Sequence, residues 1–255
     1  MASSSGGLNV SAAGAPGVHW PGEAAAPAVN GLLSSLPPRE RARVMSAAQT
    51  VAFSLGDTVC EAGARMEHVY FPTTAVMSQL YTMEDGATAE MGLTGNDGIL
   101  GVALFLGGET TISRTVVVVE GRALRLHVRA LREECGSGGP LQPLLLRYTQ
   151  AFMTQIAQTA VCNRLHAVEQ RLCRWLLMCH DRVKSDRLQM TQELISNMLG
   201  GRRETVTVAA GRLQDAGLIR YARGHISILD REGLEEAVCE CYGIVETERL
   251  RLCRG

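Results

Sequence analysis

Arg202, Arg203 and Glu204 stand together just after a Gly200–Gly201 pair, and Thr205, Thr207 and Val208 follow within about one helical turn. Arginine can donate to O6 and N7 of guanine together, and glutamate can accept from N4 of cytosine. Such groups at the start of a helix suit the reading of base edges in a major groove. Two packed helices with a solvated face would show the same spacing.

Two elements must position these side chains. Thr191 can cap a helix, with Gln192 beside it and Glu193 near the positive end of the dipole. Leu194 and Met198, like Ile195 and Leu199, repeat at four-residue spacing and give that helix an apolar face. Gly200 and Gly201 end it, because glycine tolerates the backbone of a sharp turn. A second helix is expected from 202 or 203 to 216. It buries Val206, Ala210 and Leu213 and turns Arg203, Glu204, Thr207 and Val208 the other way. Gly217 stops it. Residues 218–221 and 225–229 read as strands around Ala222, Arg223 and Gly224, which makes a two-stranded hairpin.

The 255 residues carry a net charge of −1 and are 46% hydrophobic, enough for a core in one large or two small domains. The charge is uneven. Residues 164–225 hold eleven arginines and lysines against six acids, and acids dominate 230–248. A basic region on a neutral chain suits a nucleic-acid reader joined to another domain, and equally a solvated surface. There is no Ser/His/Asp array and no Gly-x-x-x-x-Gly-Lys phosphate cradle, so an enzyme is not expected. No run nears the ~20 apolar residues that span a bilayer. The stretch before Arg39 has neither lysine nor arginine and no clear apolar core. No membrane segment or secretory signal is therefore expected, and the chain reads as cytoplasmic.

Cys60, Cys135, Cys162, Cys173, Cys179, Cys239, Cys241 and Cys253 form no Cys-x-x-Cys pair, and Cys239-x-Cys241 is not a usual zinc spacing. Buried, reduced thiols are the expectation, and a redox or iron–sulfur sensor is the alternative. His166 and His180 have no ligand pair near them in sequence and read as structural or solvent-facing. No metal and no cofactor is assigned.

In chain order, residues 1–31 are rich in Ala, Gly, Ser and Pro and are expected to be a disordered tail, with Trp20 as its oddity. Residues 32–52 read as a helical lead-in. Residues 53–130 are short apolar runs broken by turn signals such as Glu84, Asp85 and Gly86, which suggests an antiparallel barrel or sandwich. After a break at 136–140, Leu141, Leu144, Leu145, Tyr148, Phe152, Ile156, Ala157 and Ala160 form one apolar stripe on a long helix. A hinge is expected at 163–166, a second helix at 168–180, and a polar link at 181–187. Asp230 caps a last helix to about 242, followed by a tail that frays.

In residues, TQELISNMLG, the following RRETV, and LQDAGLI resemble the winged helix-turn-helix of the cyclic-AMP receptor and fumarate–nitrate regulator (Crp/Fnr) superfamily. The resemblance covers about 32–242. It implies an α+β chain: an N-terminal antiparallel, jelly-roll-like sensor roll of the cyclic-nucleotide-binding type over 32–139, a dimerisation helix over 140–163, a winged helix-turn-helix over 164–242, and a tail over 243–255. Leu55–Gly63 fits the opening of such a roll.

The family's base-reading arginine and glutamate map onto Arg203 and Glu204, and its phosphate-contacting threonine onto Thr191. The cyclic-AMP receptor's second base-reading arginine is Val208 here, and its capping serine is Arg202. Val208 is therefore expected at a thymine methyl and Arg202 at a phosphate, with Arg223 and His225 of the wing adding phosphate contacts. In the family's phosphate cassette, Gly101 and Val102 stand for the glycine–glutamate pair, and Arg114, followed by Thr115, for the arginine. Valine cannot accept a hydrogen bond from ribose, so cyclic AMP is not expected to bind in the standard way. Arg114 is otherwise a surface or structural arginine. The oxygen-sensing branch clusters cysteines near its N-terminus, and residues 1–59 contain none.

The resemblance implies a homodimeric transcription regulator that binds double-stranded DNA and answers to an unidentified effector, and it leaves RNA polymerase open as a partner. A small-molecule-binding module that signals through a protein partner is the second reading.

Overall fold

The computed structural model describes residues 29–183 and 185–253, so the expected tail over 1–28 and Trp20 lie outside the described residues. The lead-in is two helices and a strand: α1 (Gly31–Ser34), α2 (Pro38–Ala47) and β1 (Gln49–Phe53). The adjacent Pro37 and Pro38 start α2, where a missing N–H costs nothing. The helical expectation fails beyond it, because Thr50 and Val51 pair with a later strand. Residues 29–31 are also not tail. Asn30 is fully buried; its amide donates to the carbonyls of Pro72 (2.9 Å) and Gly98 (2.8 Å), and its Oδ1 accepts from the backbone of Leu32 and Leu33.

The roll follows with β2 (Thr58–Cys60), β3 (His68–Pro72), β4 (Val76–Thr82), β5 (Thr88–Thr94), α3 (Val102–Phe105), β6 (Arg114–Val119) and β7 (Gly121–His127). Its strands form two antiparallel sheets, ordered β1-β7-β3 and β2-β6-β4-β5. Alternate residues point inward, so Val69 and Phe71 of β3 meet Leu124 and Leu126 of β7 in one core. The expected Glu84–Gly86 turn closes the β4–β5 hairpin, where Met83 and Ala87 hydrogen-bond.

Three helices connect the roll to the C-terminal region: α4 (Val128–Gly136), α5 (Leu141–Leu165) and α6 (Val168–Val183). Residues 128–130 had read as part of the strand-rich stretch. They instead open α4, which His127 caps by accepting from the backbone of Arg129. On α5 the single expected stripe separates into two. Leu141, Leu144, Leu145, Tyr148, Ala151, Gln155, Thr159 and Cys162 are buried within the chain. Ala157 and Ala160 are exposed, beside exposed Leu146, Met153 and Val161. At about 100° per residue, Leu146, Met153, Ala157 and Val161 share the face opposite the buried one.

The C-terminal region is β8 (Arg187–Gln189), α7 (Gln192–Leu199), α8 (Arg203–Asp215), β9 (Ile219–Ala222), β10 (His225–Ile228), α9 (Arg231–Ala237) and α10 (Cys241–Cys253). Two expectations are corrected here. The wing has three strands, ordered β8-β10-β9, because Arg187, the end of the supposed polar link, pairs with Ser227 and the next residue, Leu188, with Ile226. The last helix breaks after Ala237, and the supposed fraying tail is α10, which lies along α5. Val245 and Leu252 are buried, and Arg147 of α5 donates to the Leu252 carbonyl at 3.0 Å. Asp97 of the roll ties this end together, 2.8 Å from Arg182 of α6 and 3.7 Å from Arg249 of α10.

One core joins the roll to this region. Val76, Leu80, Leu93, Val116 and Val118 pack with Leu172, Trp175 and Leu176 of α6, and onward with Ile195, Val206 and Leu213. Inside it the Trp175 Nε1–H donates to Glu90 Oε2 at 2.8 Å, and the Ser78 hydroxyl donates to the same oxygen at 2.7 Å. Burial pushes the Glu90 carboxyl above the usual carboxylate range, while those two donors and the nearby Arg174 and Arg182 act in the opposite direction.

A raised folded-state pKa means that the folded state holds the proton more tightly than the unfolded chain. The stabilising contribution is full below the ordinary carboxyl value and is lost as pH rises through the raised one. Glu90→Gln should remove this acid-to-neutral decline in urea-unfolding stability. Trp175→Phe should lower stability by about 1–3 kcal/mol from the carboxylate it leaves short of a donor, with a further loss of packing.

Candidate nucleic-acid interface

Local chemistry builds the helix pair. The Thr191 hydroxyl accepts from the Leu194 backbone at 3.1 Å and caps α7, with Glu193 in the first turn. Gly200, at φ 60°, ends α7 in the left-handed region, where a Cβ would also crowd Ala89 and the Thr88 carbonyl of β5 at 3.3 and 3.4 Å. The Arg171 guanidinium of α6 donates to the Leu199 carbonyl, so the turn is held from beneath. Arg202 then takes the extended N-cap position without a side-chain cap bond, and α8 begins.

Val206, Ala209, Ala210 and Leu213 of α8 are buried. The other face is open: Arg202, Arg203, Glu204, Thr205, Thr207 and Val208 are all exposed. Arg203 is 3.0 Å from Glu193 of α7, a surface pair that a base edge would have to replace. Thr207 donates back to the Arg203 carbonyl at 2.9 Å, which leaves its methyl and hydroxyl lone pairs to face outward. Val208 is 53% exposed on this otherwise polar face. Thr191 is exposed and Gln192 half-buried at the start of α7.

The wing turns at Arg223 and Gly224, with φ of 50° and 76°. Two successive positive φ values are those of a tight I′-type hairpin, which explains the glycine and leaves the arginine at the tip. The half-buried His225 ring lies 3.1 Å from the Arg223 carbonyl through Nδ1. Arg220 is a further exposed wing cation that the sequence reading passed over; its alternation with buried Ile219 was the available signal.

Gly101, at φ 100°, opens α3 against Val69, and Val102 is half-buried. Arg114 reaches Thr58 Oγ1 at 2.7 Å and Glu61 at 3.5 Å, and Thr115 is buried in β6. Thr58 and Glu61 also line an open cleft of about 540 Å³ with Cys60, Arg65, His68 and Tyr70. Arg114 is thus engaged by a carboxylate at the edge of that cleft.

His166 was read as lacking ligand partners, and the fold supplies them: Cys162, Cys239 and Cys241 surround it. His180 bridges Asp186 and Arg231 instead, and its Nε2 is 2.8 Å from Asp186.

Residues 170–237 match the model of the Crp-like helix-turn-helix domain. No curated protein matches the sequence. Among solved structures, FixK2 from Bradyrhizobium japonicum is similar with a TM-score of 0.65 at 15% identity, over 75% of this chain and 98% of that one. The c-di-GMP responsive global regulator CLP of Xanthomonas campestris gives 0.61 at 15%, over 75% and 99%. TTHB099, a CRP-family transcriptional regulator from Thermus thermophilus, gives 0.60 at 18%, over 73% and 95%. At these identities the structural likeness concerns the fold.

If Arg203 reads a guanine, Arg203→Ala should cost about 1–3 kcal/mol on the preferred sequence and relax selectivity at that base pair. Arg223→Ala should instead weaken all sequences about equally and lower the salt slope by about 1. Competition binding to a randomised duplex library at several salt concentrations separates the two effects.

Proposed function

We propose that the chain is a transcription regulator of the Crp/Fnr type, as its Crp-like helix-turn-helix domain supports, and that it reads two-fold symmetric DNA sites as a homodimer under the control of its roll. The observation that carries this reading is the open face of α8. Arg202, Arg203, Glu204, Thr205, Thr207 and Val208 stand exposed on a helix whose other side is locked into the core. Arg203 and Glu204 read bases. Val208 meets a thymine methyl. Thr191, Arg202, Arg223 and His225 set the frame on the phosphates.

The second copy docks along α5. Leu146, Met153, Ala157 and Val161 form an exposed apolar line at steps of seven, four and four residues, the spacing of a helix–helix seam. A two-fold axis along this seam would carry two recognition helices toward successive major-groove faces, about 34 Å apart.

The roll is the controlling element, and cyclic AMP held in the standard way is not its ligand. Val102 offers no acceptor for a ribose hydroxyl, and Arg114 is already paired with Glu61. The reader is docked on the roll through β5, where Thr88 Oγ1 donates to the Asn197 carbonyl at 3.4 Å and the Gly200 turn lies against Ala89. A change in β4 or β5 is therefore felt directly at the turn that aims α8.

Replacing both Leu146 and Met153 by glutamate tests the dimer. Two unpaired carboxylates from each copy in the seam should raise the dimer dissociation constant at least about 100-fold, roughly 2.7 kcal/mol. Sedimentation should show monomers with unchanged helix content, and affinity for a two-fold site should fall with the dimer. A double variant that still sediments as wild type would overturn this seam.

A further inference from the structure

Four side chains able to ligate a metal, two from the end of α5 and two from around the α9–α10 break, meet at the hinge between α5 and α6. Cys162 lies in the last turn of α5 and His166 is its C-cap. Cys239 and Cys241 come from the break between α9 and α10, more than 70 residues later. Their ligand atoms all lie within 4.8 Å of one another. Cys162 Sγ is 3.6 Å from Cys239 Sγ, and Cys241 Sγ is 3.4 Å from His166 Nδ1. We propose that Cys162, His166, Cys239 and Cys241 form a closed, structural site for a single thiophilic divalent cation, zinc.

The distances suit a single tetrahedral ion. Zinc–sulfur bonds of about 2.3 Å at tetrahedral angles set sulfurs about 3.8 Å apart, and sulfur and imidazole nitrogen slightly closer. An iron–sulfur cluster would hold its ligands wider, because its own irons and sulfides lie between them. A disulfide would need a sulfur separation of about 2.05 Å, far below the spacing of Cys162 and Cys239. Three thiolates and one imidazole fill all four positions of tetrahedral zinc, which leaves none for substrate and makes the site structural rather than catalytic.

The surroundings fit the same ion. His166 Nδ1 faces the sulfurs while its Nε2 lies 3.5 Å from Glu240, the carboxylate–histidine pairing that fixes the tautomer of a metal ligand. Gln158 donates to Cys241 Sγ at 3.2 Å. Zinc with three thiolates carries one negative charge. Arg174, which is buried, and Arg171 are within electrostatic reach of Cys162, and the Nε of each has no hydrogen-bond partner among the described residues. Binding releases three thiol protons to solvent and involves no electron transfer.

An ion here would fasten the α9–α10 break to the end of α5. The first turn of α10 would be pinned beside the hinge, and the angle between the long helix and the reader would depend on the metal.

The test is titration of the reduced, metal-free full chain with Co2+ and then Zn2+. The expected result is one Co2+ per chain with tetrahedral d–d absorption and thiolate charge transfer, displaced by one Zn2+. Cys162→Ser, Cys239→Ser and Cys241→Ser should each abolish the tetrahedral signal. Cys60→Ser and Cys135→Ser should keep it, and Glu240→Gln should weaken Zn2+ about tenfold. If the serine variants do not fold, alkylation of the wild type decides: Zn2+ should protect Cys162, Cys239 and Cys241 together. Octahedral cobalt without thiolate charge transfer, a signal that survives Cys239→Ser, or equal alkylation with and without Zn2+ would overturn the site.

Discussion

The bond from the Trp175 indole to the Glu90 carboxylate lies at 2.8 Å inside a core that belongs to neither half alone. The placing of α7 and α8 depends on it. Trp175 sits on α6, and α6 carries Arg171, which holds the end of α7, and Leu172 and Leu176, which pack toward α8. An indole and a carboxylate that satisfy each other away from water fix α6 to β5 in one register, since a slipped register would leave the carboxylate buried without its donors. The roll and the reader are therefore not beads on a linker. They share apolar contacts through Leu80, Leu93 and Val118, and the Gly200 turn rests on the same strand that carries Glu90.

This arrangement gives the proposed control of α8 by the roll a physical route. The exposed face of α8 has the side chains to read bases, but its aim is set by α7 and by the turn that touches β5. A ligand that prefers one arrangement of the roll would act by changing how β5 and α6 meet, and the shift could be no larger than its difference in affinity for the two arrangements. Asp97, held between Arg182 and Arg249, places α10 in the same linkage. The C-terminal helix is thus tied to the loop after β5, to α5 and, through the cysteine–histidine cluster, to the hinge.

The reader was the most legible part of the sequence because every boundary had its own chemical mark. Thr191 caps, Gly200 and Gly217 stop, and Arg223–Gly224 turns. The roll was legible as a class of fold, from its short runs and turns, but not in its two-sheet order, which depends on pairings such as β1 with β7 across most of the domain. The stripe on α5 misled because the helix is apolar on two faces, and periodicity alone does not say which one its own chain covers. The third wing strand contributes one buried side chain, Leu188, too short a signal to rise above its polar neighbours. The helix α10 places Cys241, Val245, Leu252 and Cys253 among charged residues with no clean stripe, so it read as a tail. Cys162 and His166 sit at helical spacing, but their partners are brought in only by the fold.

The most direct measurement is recovery of genomic DNA fragments by the purified, reduced full chain at moderate salt, followed by sequencing of what is retained. The expected result is one enriched two-fold symmetric motif whose half-sites are centred about one helical turn, ~34 Å, apart. Fragments retained with no shared motif, or an enriched motif without two-fold symmetry, would contradict a homodimer that reads DNA through α8.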